Sequence, residues 1–131
     1  MNTRNITILV ADDDADYLYQ MRIMLENAGF KVIATASQSQ AEEIIDSVRP
    51  DLAILDLMME KDDSGFILAY KIKKKYPDVP VILATAVSQE TGISFGLDAE
   101  EDHSWIKADL YLEKGIRHDQ LLMAIEKLLK R

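Results

Sequence analysis

Five short apolar runs alternate with stretches of helical periodicity along this sequence, and few folds satisfy that alternation. The runs are Ile6–Ala11, Phe30–Ala36, Leu52–Leu55, Val79–Ala86 and Leu110–Leu112. Between them, Leu18, Met21, Leu25 and Ala28 recur at helical spacing, as do Ala41, Ile44, Ile45 and Val48. Such recurrence marks the buried face of a helix. Two further helices are expected over Gly65–Tyr76 and about His118–Lys130, the last with Leu121, Leu122, Ile125, Leu128 and Leu129 on one face. The breakers agree: Gly29 follows the first helix, Pro50 the second and Pro77 the third. Ser37 or Ser39 is placed to cap the second.

Short, near-continuous apolar strands belong to a parallel sheet covered on both faces. Right-handed crossovers then force helices onto both sides. The expected architecture is α/β and flavodoxin-like, a (βα)5 single domain over 1–131 with a five-stranded parallel sheet in order 2-1-3-4-5. In that order strands 1 and 3 are neighbours, and the crevice between their carboxyl ends is where such sheets bind ligands. Asp12, Asp13 and Asp14 follow the first run, and Asp56 follows the third. Crowded carboxylates repel, which calls for a hard cation such as Mg²⁺.

Composition closes off several function classes. The net charge of −8 argues against direct nucleic acid binding through a basic surface. The one basic cluster, Lys71, Lys73, Lys74 and Lys75, reads as a helix end complementing its dipole. There is no cysteine, hence no disulfide and no thiolate metal site. No apolar stretch has the length of a membrane span, and residues 1–5 lack a signal-peptide core. A cytoplasmic protein is expected.

Four stretches carry a resemblance: Ile8-Leu9-Val10-Ala11-Asp12-Asp13-Asp14, Leu55-Asp56-Leu57-Met58-Met59, Leu83-Ala84-Thr85-Ala86 and Tyr111-Leu112-Glu113-Lys114. In this order and spacing, the chain resembles a receiver domain of bacterial two-component response regulators. The resemblance implies that Asp56 is the phosphoacceptor, a carboxylate nucleophile. It implies that Asp12 and Asp13 hold Mg²⁺ together with Asp56 and the backbone carbonyl of Met58. Thr85 and Lys114 would contact phosphoryl oxygens. Thr85 and Tyr111 would form the switch, the hydroxyl moving toward the phosphoryl group and the aromatic turning inward. Asp14 is expected to be only a helix cap. The implied partners are a sensor histidine kinase or phosphotransfer protein and a downstream protein target. The implied switching surface is the family's fourth helix, fifth strand and fifth helix, which also allows a phosphorylation-linked homodimer.

Two positions depart from the family pattern. Gly115 stands where the family usually has a proline joined by a cis bond to the lysine. A cis bond before a non-proline residue costs roughly 2.5–4 kcal/mol. Either a trans Lys114–Gly115 bond with a shifted loop or a strained cis bond is therefore expected. Glu60 replaces a second frequent proline and adds negative charge to the loop after Asp56.

The stretch 87–108 exceeds the usual connection length of about 12–15 residues and contains the only tryptophan, Trp105. It is expected to be an altered partner surface. His103 and His118 lack metal-ligand spacing and read as surface residues. Met58 and Val87 flank the path of an attacking water, and neither orients one, so slow self-dephosphorylation is expected. The last helix runs to the end of the sequence, so no output segment is expected within these residues.

Two other function classes compete. A hydrolase with an aspartate nucleophile needs a second proton-transferring carboxylate two positions on, where this chain has Met58. A phosphorylation-independent interaction module of the same fold gains weight from Gly115.

Overall fold

The computed structural model describes residues 5–86 and 108–130. Within them, β1 (Thr7–Ala11), α1 (Ala15–Asn27), β2 (Lys31–Thr35), α2 (Gln38–Ser47), β3 (Leu52–Asp56), α3 (Ser64–Lys75), β4 (Val81–Thr85), β5 (Leu110–Glu113) and α4 (His118–Leu129) follow in chain order. All neighbouring strands pair in parallel, and the sheet order is β2-β1-β3-β4-β5. This is the expected 2-1-3-4-5 sheet, with four helices among the described residues. A fifth helix, expected of a (βα)5 chain, would fall within 87–107. Val87, His103 and Trp105 also lie there, outside the described residues.

Strand alternation splits the core into two layers. Ile8, Val10, Ile54, Ile82 and Ala84 pack with Met21 and Leu25 of α1 and with Leu121 and Ile125 of α4. Leu9, Leu55 and Leu83 point the other way, onto Ala41 and Ile45 of α2 and Leu68 and Ile72 of α3. Helices cover both faces of the sheet, which is why β3 and β4 are buried along their whole length and read as unbroken apolar runs.

The same alternation sorts the site residues. Asp56 follows Ile54 by two and Lys114 follows Leu112 by two, so both continue toward the α1 and α4 layer. Tyr111 packs on the α2 and α3 layer, and Thr85 has the parity of Leu83 on that side.

Local signals set the helix starts. Asp14 caps α1, its Oδ1 accepting from Asp16 N at 3.0 Å and Tyr17 N at 3.2 Å. Ser37, not Ser39, caps α2 through a bond from Gln40 N at 3.1 Å. Glu60 adds a second cap there, accepting from Gln38 N at 2.6 Å and Ser39 N at 3.1 Å. Gly29 closes the turn after α1 with φ 99°, a conformation that suits glycine. No helix among the described residues is long and apolar enough to cross a membrane.

Candidate functional site

The acidic end of the site is built by two adjacent strands. β1 and β3 pair through Ala11 and Leu55, so Asp12 and Asp56 leave the sheet side by side. Both are buried, at 1% and 6% exposure, while Asp13 is exposed. One oxygen from each of Asp12, Asp13 and Asp56 lies within 4.8 Å of the others. Asp12 is held tightly: its amide donates to the Thr35 carbonyl at 3.0 Å, and its Oδ1 accepts from Asp14 N at 2.8 Å.

Lys114 supplies the counter-charge from β5. Its Nζ lies 2.7 Å from Asp12 Oδ2 and 3.2 Å from Asp56 Oδ1. Asp12 Oδ2 is buried, and the Lys114 ammonium meets it in this short ion pair. Lys114 N donates to the Thr85 carbonyl at 2.9 Å, which ties the start of this loop to the end of β4. No peptide bond among the described residues is cis, so the Lys114–Gly115 bond is trans. The lysine reaches both carboxylates across that trans bond.

The electrostatics follow from this packing. Burial, and then the charge of Asp12, push the Asp56 carboxyl up to about 7, against the opposing pull of Lys114. Burial alone would lower the Lys114 ammonium, but contact with Asp12 and Asp56 carries it above its ordinary value. The Tyr17 phenol is pushed up to about 12, first by burial and then by Asp12. Its ring therefore stays neutral, and Lys114 Nζ sits 4.8 Å from the ring centroid.

Three carboxylates and one ammonium leave the cluster short of positive charge. Oxygen-only donors and this charge deficit suit a hard divalent cation. The donor set fits Mg²⁺ better than a softer metal, which would favour nitrogen or sulfur.

Beside the cluster, Asp56, Leu57, Met58, Thr85, Ala86 and Lys114 line a cavity of about 280 Å³. Thr85 is buried at the end of β4, opposite Glu113. Met58 is 46% exposed at the cavity's edge. Tyr111, half-buried opposite Leu83, lies one position further from the carboxyl edge than Leu112, which pairs with Ala84.

Two contributors, Tyr17 and Gly65, escaped the sequence reading, and Glu60 acts elsewhere. Tyr17 stands three after Asp14, in the first turn of α1 beside the cluster. Glu60, expected to add charge to the site, is instead engaged at the start of α2. Gly65 lets α3 approach β3: a Cβ there would collide with the Asp56 carbonyl and stand 2.7 Å from Leu57 Cα. Its amide also donates to the Leu57 carbonyl at 2.8 Å.

Comparison with known proteins gives this arrangement a family. The profile of the response regulator receiver domain matches residues 8–126. The chain is 31% identical over 127 residues to the phosphate regulon transcriptional regulatory protein PhoB of Pseudomonas aeruginosa, covering 95% of this chain and 52% of that one. It thus spans about half the length of the curated relatives it matches.

Among solved structures, a CheY-like receiver domain protein from Methanospirillum hungatei matches with a TM-score of 0.79 at 23% identity, over 95% of this chain and 94% of that one, a likeness of fold. The response regulator TrrA from Thermotoga maritima, solved in complex with Mg²⁺-BeF, matches with a TM-score of 0.76 at 28% identity, over 94% and 98%. With its parallel sheet, its acidic cluster and its matched sequence profile, this chain belongs to the response regulator receiver domain family.

Proposed function

We propose that this chain is a phosphoacceptor switch in which Asp56 takes a phosphoryl group from a phosphohistidine on a sensor kinase or phosphotransfer protein. One observation carries the reading. An oxygen of Asp56 lies within 4.8 Å of oxygens of Asp12 and Asp13, and Lys114 Nζ is 3.2 Å from its Oδ1. A carboxylate gathered with a cation-binding pair and an ammonium is poised to attack an anionic donor.

An Asp56 oxygen attacks phosphorus in line, the P–N bond of the donor histidine breaks, and the leaving imidazole takes a proton from solvent. The product is an acyl phosphate. Lys114 pairs with a phosphoryl oxygen, and Thr85 donates its hydroxyl to another from the same cavity. Asp12, Asp13, Asp56 and the Met58 carbonyl are the groups to hold Mg²⁺. When bound, it supplies the charge neutralisation that lets two anions meet. That TrrA was solved with Mg²⁺-BeF supports this assignment by likeness.

Phosphorylation biases a two-state equilibrium. Thr85 and Tyr111 share the α2 and α3 side of the sheet, and a hydroxyl drawn toward the phosphoryl group opens space for the ring. The readout surface is then β5 and α4, offered to a downstream protein or to a second copy. The domain works in the cytoplasm and does not itself bind nucleic acid.

The test is incubation with acetyl phosphate and Mg²⁺, read by intact mass. A receiver gains one phosphoryl group, loses the ability in Asp56→Asn and needs the metal. Many equivalents released from a phosphate ester would make it a hydrolase. No uptake at all would make it an interaction module.

A further inference from the structure

Lys114 is a long side chain in a turn that the Ile116 amide closes on the Glu113 carbonyl at 3.2 Å, which fixes its backbone but not its ammonium. Its amide has one backbone bond, to Thr85. The next residue is Gly115, where an added Cβ would meet nothing within 4 Å. Its Nζ has three close partners: Asp12, Asp56 and the ring of Tyr17. The two carboxylates are the groups that would also hold a divalent cation, and one of them is the nucleophile. The ring is engaged by neither role.

Tyr17 is itself well fixed. Asp14 holds its amide at 3.2 Å, and its side chain packs against the apolar layer formed by β1, α1 and α4. An ammonium within about 6 Å of a neutral ring is attracted to its face, more strongly where water is excluded.

We propose that Tyr17 is a positioning residue for Lys114, whose ring face keeps the ammonium beside Asp56 in a loop that Gly115 leaves open. This rests on the phosphoacceptor reading above. The ring, contributed by another element, does for the lysine what a rigid residue after it would otherwise do. It requires an aromatic face and not a hydroxyl.

The experiment compares acetyl-phosphate uptake by the full chain with Mg²⁺ in wild type, Tyr17→Phe and Tyr17→Leu, each also in a Lys114→Ala background. Phe retains uptake within about twofold, and Leu slows it roughly tenfold. In the Lys114→Ala background, Leu has no further effect. A second readout needs neither metal nor phosphate: the Lys114 Cε protons are shifted upfield by the ring in wild type and Tyr17→Phe, and return to ordinary values in Tyr17→Leu. Equal slowing by Leu in both backgrounds, or ordinary Cε shifts in wild type, overturns the inference while leaving the phosphoacceptor reading intact. No uptake by wild type overturns that reading and this inference with it.

Discussion

Lys114 reaches Asp56 across a trans Lys114–Gly115 bond, its Nζ 3.2 Å from Asp56 Oδ1. The same ammonium stands 2.7 Å from Asp12 Oδ2, so one cation serves two buried carboxylates. Repulsion from Asp12 disfavours the charged form of Asp56, and a bound divalent cation would offset it.

Removing the lysine exposes that instability. Lys114→Ala leaves Asp12 and Asp56 facing each other without compensation. The loss is expected to be roughly 3 kcal/mol, as for a buried pair deprived of one partner. Thermal melts in EDTA should show it, and millimolar Mg²⁺ should recover much of the difference. Equal melting of variant and wild type in EDTA would contradict the pairing.

The Asp56 carboxyl sets a pH dependence of stability. Its folded value is about 7 because burial and Asp12 disfavour the charge, against about 3.9 in an unfolded chain. The folded state therefore binds this proton more tightly. Its stabilising contribution is complete below about pH 3.9 and is lost as pH rises to about 7. In metal-free buffer, Asp56→Asn should raise the melting temperature most at pH 8, by about a third as much at pH 5, and little near pH 3.5. Mg²⁺ should narrow the pH 8 difference, since it favours the charged carboxylate.

Glu60 is engaged in structure and not in chemistry. Its carboxylate accepts two amides at the start of α2. Glu60→Ala should cost about 0.5–1 kcal/mol, as for a lost helix cap on an exposed surface. The rate of phosphoryl uptake should stay within twofold of wild type. A large fall in rate with unchanged stability would place Glu60 in the site instead.

Two glycines near the site should respond in opposite directions. Gly65→Ala forces a methyl into the Asp56 carbonyl and Leu57, and should cost about 1–3 kcal/mol while slowing uptake. Gly115→Ala meets open space and should be neutral or stabilising by about 0.4–1 kcal/mol. Denaturant melts of both variants decide this.

Met58 lines the cavity and is apolar, so it cannot orient an attacking water. The acyl phosphate of wild type should persist for minutes or longer in Mg²⁺ buffer after donor removal. Met58→Asn, which can hold a water, should shorten that lifetime several-fold. Intact mass against time reads both.

The sheet was legible because burial on both faces writes each strand as an apolar run, and the breakers at Gly29, Pro50 and Pro77 separate the helices. The acidic cluster was legible because strand ends deliver Asp12 and Asp56 to one crevice. Tyr17 was not, because nothing local distinguishes a tyrosine that covers a lysine nearly a hundred positions away from one that fills a core. Glu60 misled for the same reason: its carboxylate is in the loop after Asp56, but its donors are the amides of Gln38 and Ser39 on another element. Gly65 carries no sign in sequence that its missing Cβ is what lets α3 close on β3. Long-range contacts of this kind appear only once the chain is folded.

The most direct measurement is where the phosphoryl group goes. After labelling with acetyl phosphate and Mg²⁺, borohydride reduction converts an aspartyl phosphate to homoserine, and peptide mass mapping locates it. Homoserine at position 56 alone, absent when EDTA replaces Mg²⁺, is the expected result. Homoserine at Asp12 or Asp13, or at no position despite a folded protein, would contradict the assignment of Asp56 as phosphoacceptor.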